Sequence, residues 1–453
     1  MRIFLTILFI PFLFACSSNN EQVKQENIFK REYKHQPWTK KTNIYEVNIR
    51  QYTPEGTFKA FEKHIPRLKK MGVDILWIMP IHPIGVKNHK GSLGSYYAVK
   101  DYRKVNPEFG TLDDFKSIVN TAHGLGMKVI IDWVANHTAW DNWLIDAHPD
   151  WYTKDSTGNI IAPVPDWSDV ADLNYDNKEM REYMTGSMEY WLKETDIDGF
   201  RCDVAGMVPT DFWIDTRKRL DAIKPVFMLA EWETKDILQA FDAVYGWEFH
   251  HIMNEVAQGK KNVNAITGYF TKHDSVFNAD DYVMYFTSNH DENSWNGSEY
   301  ERMGDAAQTM AVLSATIPGI PLVYSGQEDK LAKRLSFFDK DTIVWKNFEL
   351  QDFYSKLLHL KKENKALWNG TTGGNFSIVN NSNSENVFTF LRKKDNCKVL
   401  VILNLSDINQ NITLQNKLIK GKYKSLFTDD DFNLADSVKF ELSPWEYIVL
   451  VNK

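Results

Sequence analysis

From about residue 42 the chain alternates short apolar runs with amphipathic segments. The apolar runs at 43–49, 74–79, 128–133, 198–204, 225–231, 241–245, 282–288 and 320–325 have the length of strands. Helical spacing fills most of the gaps. Phe58, Phe61, Ile65 and Leu68 share one face, and Pro66 inside that pattern predicts a bend. Thr111 is placed to cap a helix, with Asp113 and Asp114 in its first turn and Phe115, Ile118, Val119 and Ala122 on its buried face. Eight strands alternating with helices predict parallel βαβ units in an α/β fold. Eight is also the number that closes a (β/α)8 TIM barrel. The competing open, doubly wound sheet would favour a glycine-rich phosphate loop after a strand, and none is present.

Two regions break the alternation. After the third strand comes a segment of about forty residues, 138–177, rich in Trp, Asp and Pro. It is too long for an ordinary connection and predicts a loop subdomain with a functional role. After the helical pattern stops at 364, apolar and polar residues alternate at 386–391, 398–405, 422–427 and 437–442, and 447–451 ends the chain. This predicts a C-terminal antiparallel β-sandwich over 365–453, next to a catalytic barrel over 37–364.

The N-terminus carries a different signal. Met1-Arg2 precedes an apolar run, 3–14, of signal-peptide length, and the run ends Leu13-Phe14-Ala15-Cys16 before polar Ser17-Ser18. This resembles a bacterial lipobox. It implies a lipoprotein signal peptide at 1–15, lipid on Cys16 as a membrane anchor, and a polar tether at 16–36. The expected location is the cell envelope, in the outer membrane of a Gram-negative bacterium. Either leaflet is open. With three Cys in 453 residues there is no disulfide scaffold. Cys202 and Cys397 are expected to be free and buried.

Composition narrows the function classes. Hydrophobic content of 43% and charged content of 25% are globular values, which exclude a disordered chain and a multi-span membrane protein. A net charge of −7 argues against nucleic acid as a partner. Fifteen Trp would suit either core packing or flat platforms for a ligand.

The chemistry is expected where barrel strands end at their C-terminal edge. The third strand runs into Asp132-Trp133-Val134-Ala135-Asn136-His137. The fourth carries Arg201-Cys202-Asp203, the fifth ends Ala230-Glu231-Trp232, and the seventh ends Ser288-Asn289-His290-Asp291. Carboxylates gathered at one pocket mouth cost free energy unless the chemistry uses them. A carboxylate pair is what glycosidic cleavage needs.

These segments resemble those of the α-amylase family of glycoside hydrolases (glycoside hydrolase family 13). DWVANH at 132–137, GFRCDVA at 199–205, LAEW at 229–232 and FTSNHD at 286–291 look like its four signature segments, in order. Asp172-Leu173-Asn174, the Tyr97-x-x-x-Asp101-Tyr102 pattern and PLVYSGQE at 321–328 match further family positions. The resemblance runs from about residue 40 to the C-terminus. It implies a retaining hydrolase of α-1,4-glucosidic bonds in starch-like glucans or maltooligosaccharides. Asp203 would be the nucleophile, Glu231 the general acid/base and Asp291 the third carboxylate. Arg201 would keep Asp203 ionised, and Asp132 would orient Arg201. Tyr97, His137 and His290 would hold the sugar before the cut. Trp232 would line the groove or pack under the loop. Most of Trp140, Trp143, Trp151 and Trp167 are expected in the core of the loop.

The resemblance also implies a structural Ca²⁺ with Asn136 and Asp172 as ligands, oxygen donors that suit a hard cation. No organic cofactor is implied. One departure stands out. The Lys-His pair common in the family after the nucleophile is replaced by Gly206-Met207. The alternatives are a neopullulanase-like or cyclomaltodextrinase-like hydrolase, an α-glucan transglycosylase, and an inactive glucan-binding protein.

Overall fold

In the computed structural model, which describes residues 31–452, eight parallel strands close into a barrel in chain order. They are β1 (Ile44–Val47), β2 (Ile75–Ile78), β3 (Lys128–Trp133), β4 (Gly199–Cys202), β5 (Phe227–Ala230), β6 (Ala243–Tyr245), β7 (Tyr282–Tyr285) and β8 (Ile320–Tyr324). The ring shuts where Ile44 and Tyr45 of β1 pair with Leu322 and Val323 of β8. Alternate residues point inward, so Ile44, Ile75, Trp77, Ile130, Leu229, Tyr245, Met284 and Leu322 fill one packed interior. Truncating a fully buried ring such as Trp77 to Ala costs about 3–5 kcal/mol. Gly199 opens β4 at φ 152°, and a Cβ there would stand 1.8 Å from the Phe227 carbonyl oxygen. Only glycine lets β4 and β5 approach so closely.

Several strands are shorter than the apolar runs that predict them. The run at 198–204 pairs only as far as Cys202, and the run at 282–288 only as far as Tyr285. The residues beyond have left the ladder, which frees their side chains for the barrel mouth. Pro66 does not bend a helix. The chain breaks into two helices, Phe58–Glu62 and Ile65–Met71, with Pro66 in the first turn of the second. A missing N–H has no cost there. The helix Leu112–Gly124 carries the predicted cap: Asp114 N donates to the Thr111 hydroxyl and Thr111 N to the Asp114 carboxylate.

The insertion after β3 has its own organisation. His137–Ala139 pairs antiparallel with Val170–Asp172, and a short helix, Leu144–Ala147, lies between them. Trp151 is buried and stacks on His148, whereas Trp143 is 46% exposed. Trp167 leans over the small apolar cluster of Ala98, Ala139 and Val170.

The C-terminal region forms a six-stranded and a two-stranded antiparallel sheet that share one core, including Leu400, Ile412, Leu414, Tyr423 and Phe440. Three of its strands, Asn375–Ile378, Gln410–Gln415 and Asp431–Leu434, are additional to the predicted ones. Two of these carry mostly exposed or half-buried residues, so little apolar alternation marks them. Phe270 of the barrel's outer layer meets Phe376 and Phe388, and the fully buried Arg392 donates to the Thr316 carbonyl. Burial pulls Arg392 down to about 9.

Cys202 is buried and free, as expected, but Cys397 is only half-buried. Among the described residues no helix is long and apolar enough to cross a membrane. The predicted signal peptide and Cys16 lie outside the described residues, as does most of the tether.

Candidate active site

Arg201 sits at the centre of the barrel mouth and is fully buried. It precedes Asp203 by two residues, so both side chains face the same way while Cys202 faces the helices. Its Nη1 donates to Asp132 Oδ1 at 2.8 Å and to Asp203 Oδ1 at 3.1 Å. Nη2 stands 2.9 Å from Glu231 Oε1, an ion-pair distance although off the line of a hydrogen bond. Nε donates to the Tyr245 hydroxyl at 3.0 Å. The rings of Trp77, Tyr97 and Tyr245 surround the guanidinium at 5.0–5.7 Å. One cation thus holds three carboxylates, one from β3 and one each from just beyond the ends of β4 and β5. Asp132 is held in turn by the Trp77 indole N–H and the Tyr97 hydroxyl, both at 3.1 Å.

Burial, and then the neighbouring Glu231 carboxylate, push the Asp203 carboxyl well above its usual range, while Arg201 works against them. Carboxylates this close retain a proton among themselves. The cluster therefore offers both an acid and a base.

A second network stands beside the first. His290 Nδ1 contacts Glu46 Oε1 at 2.5 Å, and its Nε2 lies 2.7 Å from the Tyr97 hydroxyl and 3.2 Å from Asp291 Oδ2. Burial alone would lower the imidazole, but Asp291 and Glu46 override it and raise His290 to about 9. With His290 protonated, Nε2–H donates to Tyr97, whose own hydroxyl donates to Asp132. His137 behaves oppositely: burial lowers it to about 4, so it is neutral.

Glu231 is fixed by its other oxygen, which accepts from Val204 N at 2.8 Å. Val204 has φ 36° and ψ 46°, a left-handed conformation that a β-branched residue adopts only under constraint. Glu231 and Val204 also divide the cleft. On one side is a cavity of about 440 Å³, lined by Tyr97, His137, Asp203, His290 and Asp291. On the other is a cavity of about 410 Å³, lined by Trp232, Glu233, Thr234 and Trp247. Trp232 therefore lines the groove. The departure at 206 fits this arrangement, because a Cβ on Gly206 would stand 2.0 Å from the Trp232 ring.

The structure brings Asp203, Glu231, Asp291, Arg201, Tyr97, His137 and His290 together and puts Trp232 in the adjoining lobe. Trp167 lines the first lobe rather than serving only as loop core. Sequence reasoning missed Glu46, although a charged residue inside the apolar run Ile-Tyr-Glu-Val is a visible anomaly. It also missed Lys90, Trp295, Phe337 and Phe338, which line the first lobe from loops without periodicity.

Asn136 and Asp172 are neighbours on the insertion, where Leu173 N donates to the Asn136 carbonyl at 3.1 Å. Burial raises the Asp172 carboxyl, the Thr153 hydroxyl opposes this, and no ion pair neutralises it among the described residues. An oxygen-ligated cation fits such a carboxylate. No group of three His, Cys, Asp or Glu gathers around it among the described residues, so backbone and amide oxygens would complete the shell.

Comparison with known proteins gives a consistent result. The profile described as α-amylase, catalytic domain, matches residues 14–163 and 151–377, and that of the maltogenic amylase C-terminal domain matches 376–449. The chain is 26% identical to α-amylase MalA of Haloarcula japonica over 90% of its own length, and it spans 63% of that relative. The crystal structure of a noncanonic maltogenic α-amylase, AmyB, from Thermotoga neapolitana aligns with a TM-score of 0.84 and 34% identity, covering 91% of this chain and 99% of that one. An α-amylase from Lactobacillus plantarum aligns with a TM-score of 0.83 and 32% identity, covering 92% and 100%.

Proposed function

The chain belongs to the α-amylase family of glycoside hydrolases, and on that premise we propose that it hydrolyses α-1,4-glucosidic bonds in starch-like glucans or maltooligosaccharides with retention of configuration. The observation that carries this reading is Arg201 gripping Asp203 and Glu231 on adjacent nitrogens of one guanidinium. A pair held by one planar cation favours the closer of the two glycosidase geometries, in which one carboxylate attacks directly.

Asp203 attacks the anomeric carbon as the glycosidic C–O bond breaks, and Glu231 gives its proton to the departing oxygen. Water then enters from the leaving-group side. Glu231 takes its proton, the oxygen bonds to the anomeric carbon, and Asp203 is released. Tyr97 offers a flat face to the sugar, Asp291 engages its hydroxyls, and protonated His290 holds Tyr97 and Asp291 in place beside it. Because water and sugar hydroxyls compete for one covalent intermediate, transfer accompanies hydrolysis when an acceptor occupies the Trp232 lobe.

A Ca²⁺ at Asn136 and Asp172 would brace the insertion against the barrel, and no chemical step passes through it. We further infer lipid anchoring through Cys16 in the cell envelope. Its test is Cys16→Ala, which should move the protein from the membrane to the soluble fraction; unchanged fractionation would refute it.

The test of function is digestion of amylose, pullulan and cyclodextrin by protein lacking residues 1–20, with the first products followed by NMR. Release of α-anomers from amylose supports the proposal. First-formed β-anomers would refute retention. Preferred cyclodextrin opening, or panose from pullulan, would favour the cyclomaltodextrinase-like or neopullulanase-like reading. Binding of glucan without cleavage would mean an inactive binding protein.

A further inference from the structure

The two lobes of the cleft differ in a way that bears on where a glucan is cut. Of the two lobes, the nucleophile Asp203 lines the first, whereas Glu231 borders both. The ring under attack must therefore sit in the first lobe and the leaving group in the second. The glycone, which points toward the non-reducing end, occupies the lobe of Tyr97 and His290. The leaving chain runs past Trp232.

Part of the wall of the glycone lobe is a strap that carries Lys90. The segment after β2 crosses from the insertion to the loop after β8. On one side Lys90 Nζ donates to the Asp166 carbonyl at 2.6 Å and pairs with Asp169 at 3.2 Å. On the other, Leu93 N donates to the Phe338 carbonyl at 3.0 Å, and Ser92 gives both its N–H and its hydroxyl to Asp339. Lys90 also lies 5.9 Å from the centre of the Phe338 ring. Gly91 has φ 61°, and a Cβ there would stand 2.5 Å from Phe338 Cβ, so the strap passes in direct contact with that residue. At about 440 Å³ the lobe is at the small end of ligand cavities, with room for a disaccharide.

We propose that the Lys90 strap makes this an exo-acting enzyme that takes the non-reducing end of the glucan and releases short products, with Lys90 and Phe338 setting their length. This deepens the functional reading above and rests on it. A linear chain longer than the lobe meets the strap, while the Trp232 side leaves the reducing-end portion room to extend.

The test uses p-nitrophenyl α-maltoheptaoside, with and without a 4,6-ethylidene group on its non-reducing ring. Chromatography of samples taken at early times gives the cleavage rate of each substrate and resolves the first products. The wild-type protein should release maltose first from the free substrate and cut the blocked one at least about 10-fold more slowly. Lys90→Ala should narrow that gap and shift the first products toward tri- and tetrasaccharides. Phe338→Ala gives an independent opening of the same wall. Equal rates on both substrates with mixed-length first products in the wild type would overturn the strap and leave the glycosidase reading intact. An unchanged product pattern in both variants would overturn the length-setting role of Lys90 and Phe338. Absence of cleavage of either substrate, and of amylose, would overturn both readings together.

Discussion

His290 Nδ1 lies 2.5 Å from Oε1 of Glu46, a carboxylate supplied by the first barrel strand to a histidine of the seventh strand's exit. Both side chains are buried, so the contact is shielded from water. Raised to about 9, His290 contributes stability that is fully present below its ordinary value of about 6.5 and is lost as pH rises through about 9. Glu46→Gln keeps the shape and removes the charge. The alkaline limb of kcat/KM should then move to lower pH by about 1 unit. A superimposable profile would show that Glu46 only fills space.

Asp203→Asn removes a carboxylate that burial and Glu231 already disfavour. Turnover should fall by at least about 10⁴-fold while the melting temperature holds or rises. Retention of a tenth of the activity would refute the assignment as nucleophile.

Gly206→Ala puts a methyl group where the Trp232 ring lies. Overpacking of this kind costs about 1–3 kcal/mol. The cost should shrink in a Trp232→Ala background, which a double-mutant cycle in urea would measure. Equal costs in both backgrounds would mean that the ring moves aside freely.

At the opposite end of the barrel, Asp198 accepts from His123 Nε2 at 2.7 Å, Lys128 Nζ at 2.9 Å and Val129 N at 3.0 Å. Burial would raise it, but these partners hold it at about 2, below its ordinary 3.8. The stabilisation, about 2 kcal/mol, is present above about pH 4 and is lost as pH falls through about 2. Asp198→Asn should lower stability at pH 7 by that order and flatten the acid side of the stability curve. Equal melts for the two proteins across pH 3–7 would refute the linkage.

If Asn136 and Asp172 hold Ca²⁺, adding calcium to chelator-treated protein should raise its melting temperature, and Asp172→Asn should abolish the rise. No response in the parent protein would argue against the site.

Much of the barrel mouth was legible because each polar terminus ends an apolar run of strand length: Asp132 after Val129–Ile131, and Glu231 after Phe227–Ala230. Arg201 and Asp203 were legible as a pair through the two-residue strand period. The partnership of Glu46 with His290 was not, because 244 residues separate them and only barrel closure brings the first strand beside its distant neighbours. Lys90, Trp295 and Phe337 were hidden for another reason. Their loops have no hydrophobic period, and their position depends on contacts with other loops. Pro66 was misread because a proline inside a helical pattern and a proline opening a new helix look alike until the break at 63–64 is seen.

The left-handed Val204 ties two properties of the enzyme to one peptide unit. Such a conformation costs a β-branched residue on the order of 1–3 kcal/mol. Its amide is also what orients Glu231. Glycine at 204 would relieve the strain and loosen the carboxylate together, so selection for heat resistance and selection for turnover pull this position in opposite directions.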